Sequence, residues 1–340
     1  MGYKIAFQSL GCAKNLVNTE QMMALCREAG HTVTGDPEGA DVAVLNTCGF
    51  IESAKSEAID AILELAALKN QGKLKKLLVA GCLSQRYREE IKTELPEVDG
   101  LLGTGSYTDV ASAVEELMEG ERPEHFGELA QAFDDGERWV TTPPWTAYLK
   151  IAEGCSNGCA FCVIPKLRGR YRSRSMESLL SEAKGLADRG AKELIVIAQD
   201  ITRYGLDLKD GTTLAELLTR LCRLDFHWIR LHYLYPEAVT DELIQVIARE
   251  KKIVHYLDIP IQHANDGILK AMRRRSTRAE IEALFAKLRA AMPDVVIRTS
   301  LICGLPGEGE AEFEELCQFL RAQKLQRAGV FQFSPEEGTL

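Results

Sequence analysis

Thr146-Ala147-Tyr148-Leu149-Lys150-Ile151-Ala152 runs directly into Glu153-Gly154-Cys155-Ser156-Asn157-Gly158-Cys159-Ala160-Phe161-Cys162. The first stretch is rich in apolar and aromatic residues and reads as a strand. The second is a glycine-flanked loop with three cysteines spaced CxxxCxxC. Three thiolates this close at a strand end converge on one iron–sulfur cluster. A cube of four irons held by three cysteines leaves one iron without a protein ligand. Such an open metal position is where a cofactor or substrate binds. A zinc site needs a fourth Cys or His nearby, and none closely follows Cys162.

Working outward toward the C-terminus, the strand–helix alternation repeats. Strands are expected near 146–152, 194–199, 228–233, 255–260, 296–302 and 329–333. Helical patterns fill the gaps over 175–189, 213–223, 239–249 and 278–291. Six βα units of this length predict a partial (β/α)6 barrel, with its chemistry at the C-terminal ends of the strands.

Toward the N-terminus, Ile5-Ala6-Phe7, Val42-Ala43-Val44-Leu45 and Leu77-Leu78-Val79-Ala80 are short apolar runs. Helical patterns over 18–29 and 52–68 separate them. This predicts a second parallel sheet covered on both faces, so the whole chain is α/β. A cysteine follows each run: Cys12, Cys48 and Cys82, spaced by 36 and 34 residues. Loops after successive parallel strands share one sheet edge, where ligands bind. The three thiols are therefore expected to meet and hold a second cluster. Cys26, Cys222, Cys303 and Cys317 are expected to be core residues. The acidic stretch 119–145 ends in Pro143-Pro144 and reads as a linker or short hairpin. The expected domains are 1–118, the linker 119–145, and 146–340.

The 340 residues are 46% hydrophobic and 27% charged, which excludes disordered and fibrous classes. Residues 1–145 carry 13 Lys+Arg against 24 Asp+Glu, and the remainder 28 against 26. The acidic first half argues against a broad nucleic-acid face there. There is no apolar run of about 18 residues to span a membrane. The first residues lack a secretory signal, so a cytoplasmic location is expected. In that compartment ten clustered cysteines point to metal or redox chemistry rather than disulfides.

The triad at 155–162 resembles the signature of the radical S-adenosylmethionine (SAM) superfamily. With Cys12, Cys48 and Cys82, the chain resembles its methylthiotransferase family over its whole length. The segments Ser9-Leu10-Gly11-Cys12-Ala13-Lys14-Asn15-Leu16-Val17-Asn18-Thr19-Glu20 and Asn46-Thr47-Cys48-Gly49-Phe50-Ile51-Glu52-Ser53-Ala54-Lys55 resemble the branch that modifies ribosomal protein S12. The alternative is the branch that modifies transfer-RNA adenosine, whose usual motifs differ at Lys14-Asn15 and Gly49-Phe50-Ile51. The resemblance implies an N-terminal methylthiotransferase domain followed by a partial radical SAM barrel. It implies two [4Fe–4S] clusters, with SAM as both methyl donor and radical source. The cluster on Cys155, Cys159 and Cys162 would cleave SAM to a 5′-deoxyadenosyl radical, and the cluster on Cys12, Cys48 and Cys82 would present the sulfur. The substrate position would be the β-carbon of an aspartate, an unactivated C–H bond that needs cofactor chemistry. A reductant such as flavodoxin or ferredoxin is implied as a partner. Relatives continue past Pro335-Glu336-Glu337-Gly338-Thr339 into a small β-barrel, the TRAM domain. Only Leu340 follows here, so that domain is expected to be absent and nucleic acid to be met only through it or the ribosome.

On the same resemblance, Gln199 after the second barrel strand, Gln262 at the end of Ile259-Pro260-Ile261, and Gly304 in the glycine-rich turn after Ser300-Leu301-Ile302-Cys303 are candidate SAM contacts. His263 is a weaker candidate and reads more readily as structural. Lys166, Arg168, Arg170, Arg172 and Arg174 alternate beside the cluster loop, and in an extended segment they would share one basic face, either solvated or in contact with the SAM carboxylate or the substrate. Arg273-Arg274-Arg275 reads similarly and could also meet ribosomal RNA.

Overall fold

The computed structural model describes residues 2–130 and 136–339. The chain divides into two compact units: Met1–Thr141 with Val163–Arg170, and Thr142–Cys162 with Tyr171–Leu340.

The first unit is built on six strands: β1 (Lys4–Ser9), β2 (Thr32–Thr34), β3 (Ala40–Thr47), β4 (Leu74–Gly81), β5 (Gly100–Leu102) and β6 (Glu124–His125). They lie in the order β2-β1-β3-β4-β5-β6, with every pair parallel. Its helices are α1 (Ala13–Glu28), α2 (Glu52–Asn70), α3 (Cys82–Arg86), α4 (Arg88–Glu94), α5 (Val110–Glu119) and α6 (Ile164–Arg168). The period of two along each strand divides the core into two layers. Ile5, Phe7, Val42, Val44 and Leu78 pack with Met22 of α1 and with α5. Ala6, Ala43, Leu45, Leu77 and Val79 pack with α2. The strands read as continuous apolar runs because helices cover both faces. The chain order reverses between β1 and β3, which opens a crevice at the C-terminal ends of those strands.

The described part of the segment read as a linker or hairpin is mostly irregular and lies against the first unit. Its short strand β6 joins the first sheet in parallel. Residues 136–141 lie along α1: Trp139 donates its N–H to the Glu20 carbonyl at 3.0 Å, and the buried Glu20 carboxylate accepts from Arg138 at 2.9 Å and from the Thr141 N–H at 2.6 Å.

The second unit holds β7 (Thr146–Lys150), β10 (Glu193–Ile197), β11 (Trp228–Leu231), β12 (Ile253–Asp258), β13 (Val296–Cys303) and β14 (Arg327–Gln332) in sequential order, all parallel. A small antiparallel pair, β8 (Ala152–Glu153) with β9 (Arg172–Ser173), flanks the cysteine loop. Among the described residues β7 and β14 do not pair, so the sheet is an open six-stranded βα array, as expected for a partial barrel. Its helices are α7 (Met176–Asp188), α8 (Leu214–Leu221), α9 (Asp241–Arg249), α10 (Asp266–Ala271), α11 (Arg278–Ala291) and α12 (Glu310–Gln323). Five of them begin on a residue whose side chain accepts a backbone N–H of the first turn: Ser175, Thr213, Thr240, Asn265 and Thr277. Such caps fix where each helix starts. No described helix is long and apolar enough to cross a membrane.

Of the four cysteines expected in the core, only Cys26 is fully buried. Cys222, Cys303 and Cys317 are half-buried: Cys222 and Cys303 stand at the ends of α8 and β13, and Cys317 lies mid-way along α12.

Candidate metal centres

In the first unit the three cysteines stand at the C-terminal ends of β1, β3 and β4. Cys12 is the residue before α1, Cys48 follows β3, and Cys82 opens α3. Glycines permit the close approach. Gly11 has φ +85°, and a Cβ there would lie 2.7 Å from the Cβ of Cys48 and 3.1 Å from its sulfur. Gly81 has φ +99°, and a Cβ would come within 2.5 Å of the Thr47 carbonyl oxygen. Both positions need a residue without a side chain.

Two asparagines bind these loops together. Asn15 donates from Nδ2 to the carbonyls of Leu10 (3.1 Å) and Thr47 (2.8 Å), one beside each of the first two cysteines. Asn46 donates back to the Asn15 carbonyl at 3.0 Å and to Thr19 Oγ1 at 2.9 Å. Arg168, on α6, donates to Asn18 Oδ1 at 3.1 Å, to Asn15 Oδ1, and to the Cys82 sulfur at 3.6 Å. The protein around Cys12 pushes its thiol up, but the charges of Lys14 and Arg168 and the N–H groups of Asn15 and Lys14 outweigh this and hold it below the usual thiol range. Burial, then the neighbouring Cys82, pushes Cys48 up to about 11. Cys12 and Cys82 are both close enough to act on the Cys48 thiol.

In the second unit Cys155 and Cys159 are buried and Cys162 is half-buried. Gly154 and Gly158 take positive φ to turn the loop. Ser156 Oγ accepts the Tyr171 N–H at 3.1 Å, and Asn157 Nδ2 donates to the buried carboxylate of Asp200 at 2.8 Å. Asp200 also accepts from the Thr202 N–H at 3.0 Å and pairs with Arg203 at 3.3 Å. The Ala160 N–H bonds the Met272 carbonyl at 3.0 Å, and Phe161 packs against Ile268, Met272 and Leu305. The Cys159 sulfur lies 3.8 Å from both the Tyr235 hydroxyl and Arg274 Nη1. The Arg274 guanidinium stacks 4.1 Å over the Tyr235 ring. Burial raises the Cys155 thiol, with Asp200 and Cys159 adding to the shift.

The three candidate SAM contacts fall at strand ends of this unit. Gln199, after β10, donates to Glu153 Oε1 at 2.6 Å, and Glu153 pairs with the fully buried Lys150 at 3.0 Å. Among the described residues, the buried Oε1 of Gln199 and Oδ1 of Asn157 have no hydrogen-bond partner, so both remain available as acceptors. Gln262 has φ +72°, and its backbone bridges to β13 through Ser300 and Ile302. Gly304 has φ +83° and gives its N–H to Glu308 at 2.6 Å. His263 is fully buried, 3.3 Å from Glu308, and accepts the Asn265 N–H at 2.9 Å, which makes it a loop brace.

The single basic face expected for residues 166–174 does not form. Ile164–Arg168 is helical, so alternation no longer means one side. Arg168 and Arg174 are buried, Lys166 and Arg170 are exposed, and Arg172 is intermediate. Arg174 pairs with Glu182 at 2.5 Å and donates to the Lys150 carbonyl at 3.1 Å. In the run 273–275 only the outer two arginines are exposed. Sequence reasoning gave no individual role to Arg168, Arg274, Tyr235, Lys150 or Asn15. One signal was present: a lysine in the middle of an apolar strand at 150.

The donor sets fit iron–sulfur clusters. Each unit offers three thiols at strand ends, and each triad has a buried arginine on one sulfur. No three described His, Cys, Asp or Glu side chains close on a single ion, and a four-iron cube spreads its thiolates more widely than one ion does.

Residues 4–103 match the uncharacterized protein family UPF0004, and residues 149–320 match the Radical SAM superfamily. The chain is 50% identical over 338 residues to the ribosomal protein uS12 methylthiotransferase RimO of Clostridioides difficile, covering 99% of this chain and 76% of that protein. It is 51% identical over 339 residues to the protein of the same name from Pelobacter propionicus, covering 75% of it. The chain belongs to the uS12 methylthiotransferase family. A fold likeness extends further: the radical SAM methyltransferase TsrM of Kitasatospora setae matches with TM-score 0.73 at 12% identity, over 97% of this chain and 73% of that one. The enzyme class is radical SAM methylthiotransferase.

Proposed function

We propose that this chain transfers a methylthio group to the β-carbon of an aspartate in ribosomal protein S12. The observation that carries the reading is the pair of cysteine triads, each at the C-terminal strand ends of its own parallel sheet, in a chain half-identical along 99% of its length to uS12 methylthiotransferases. Cys155, Cys159 and Cys162 would hold one [4Fe–4S] cluster, and Cys12, Cys48 and Cys82 the other. When bound, the clusters and SAM supply the electron transfer, the hydrogen abstraction and the methyl group.

The chain's own residues do the positioning. Asp200 fixes the cluster loop through Asn157, and Tyr235 with Arg274 covers the Cys159 sulfur. Gln199, Gln262 and Gly304 are proposed SAM contacts. Glu153 orients Gln199 from one side, leaving its unpartnered oxygen as an acceptor for the SAM amino group. Cys82, Cys155 and Cys159 are buried, which strengthens the charge interactions at those three sulfurs. Residues 1–118 and 146–340 are the proposed functional halves. A cytoplasmic location and a low-potential flavodoxin or ferredoxin as reductant accompany this reading, and contact with nucleic acid would come through the ribosome.

The test is deletion of the gene in its host, followed by mass spectrometry of ribosomal proteins and of digested transfer RNA. The methylthio mass is expected to vanish from the S12 aspartate peptide, with nucleosides unchanged. Loss from an adenosine nucleoside instead would assign the chain to transfer RNA.

A further inference from the structure

Arg168 is 3% exposed, although it sits in a stretch whose alternating charges suggest a solvated face. A buried guanidinium is costly unless its donors and its charge are answered. Its donors are aimed. Asn15 and Asn18 lie three residues apart on one face of α1, and both side-chain oxygens accept from the guanidinium. The guanidinium also donates to the Cys82 sulfur at 3.6 Å. The helix that carries Arg168 is seated on the same cysteine: Val163 and Leu167 pack against Cys82 and Phe50, and Thr104 Oγ1 donates to the Leu167 carbonyl. These contacts direct one fixed positive charge at Cys82, a member of the first triad.

We propose that Arg168 is a positioning residue that tunes the cluster on Cys12, Cys48 and Cys82: its N–H donates to the Cys82 sulfur, and its charge offsets the negative charge of the loaded site. Hydrogen bonds to cluster sulfurs and nearby charge set reduction potential, and a cation favours the reduced, more negative state. Arg168 thus raises the potential of this cluster. The inference rests on the cluster reading above.

The test uses the full chain with Cys155, Cys159 and Cys162 replaced by alanine, so that only the first-unit cluster is loaded. The chain is reconstituted anaerobically with iron and sulfide, its iron is counted, and it is titrated by potential with electron paramagnetic resonance as the readout. Arg168→Gln removes the charge, and Arg168→Lys keeps it without the fork. Arg168→Gln is expected to hold its iron and to show an about tenfold lower reduced-to-oxidised ratio at the parent's midpoint, a shift of about 59 mV for one electron. Arg168→Lys is expected to fall between the two. An unchanged midpoint in loaded Arg168→Gln overturns the proposal. If Arg168→Gln does not load, the Arg168→Lys midpoint decides: a lower value supports the proposal and the parent's value overturns it. Loss of iron from both variants with unchanged circular dichroism also overturns it, leaving Arg168 an assembly residue. If the parent itself binds no iron, the cluster reading fails, and the role of Arg168 that rests on it fails with it.

Discussion

Asn15 shows how much a single amide organises. Its two donors close on the carbonyls of Leu10 and Thr47, and its oxygen receives Arg168, so one side chain joins the loops of Cys12 and Cys48 to the residue on Cys82. Asn15→Ala leaves two carbonyls and one guanidinium donor without this partner in a site that water reaches poorly. The expected loss is roughly 2–3 kcal/mol, from buried groups left unpaired. Urea unfolding of the iron-free protein checks it, and an unmoved midpoint would remove the staple from the argument. The cysteines were legible in the sequence because their chemistry is written in their spacing and in the strands before them. Asn15 and Arg168 were not, because their contact spans 153 residues and no local pattern encodes it. The same gap explains why burial of Arg168 and Arg174 escaped a reading based on alternation.

At the scale of elements, the long strands and helices announce themselves by period, and the short ones do not. β13 has eight residues and α11 fourteen, and both were expected near their observed limits. β5 has three residues and β6 two, too few to show a period of two, and Glu124-His125 is polar besides. Pairing with a formed neighbour makes these residues strands. Helix starts carry a clearer chemical signal. Thr277 accepts the Glu280 N–H at 3.3 Å while the Glu280 carboxylate accepts the Thr277 N–H at 2.8 Å, a reciprocal cap on α11. Thr277→Ala removes one half of it, and a cost of about 1 kcal/mol is expected. Thr277→Ser retains the hydroxyl and should recover most of that difference. Chemical denaturation of the two variants side by side measures it, and equal stability of both would show that the cap contributes nothing here.

For the whole molecule, the decisive property is that each triad belongs to a unit with its own core. The strands leading to Cys12, Cys48 and Cys82 are buried by α1, α2 and α5, while β7 and its loop are anchored by Asp200, Tyr171 and Met272 of the other unit. Replacing one set of cysteines therefore removes one cluster and leaves the other set of loops intact. The reconstituted parent is expected to hold about eight irons per chain, from two four-iron cubes. With Cys12, Cys48 and Cys82 changed to alanine, about four irons should remain. That variant should still cleave SAM reductively and should transfer no methylthio group. The complementary set, Cys155, Cys159 and Cys162 to alanine, should also keep about four irons, and SAM cleavage should be lost entirely. Iron analysis and detection of 5′-deoxyadenosine on the same samples separate the outcomes. Unchanged iron in either variant would show that its triad holds no cluster. Loss of SAM cleavage from the first variant, with four irons retained, would mean that the two triads do not divide the chemistry as their separate folds imply.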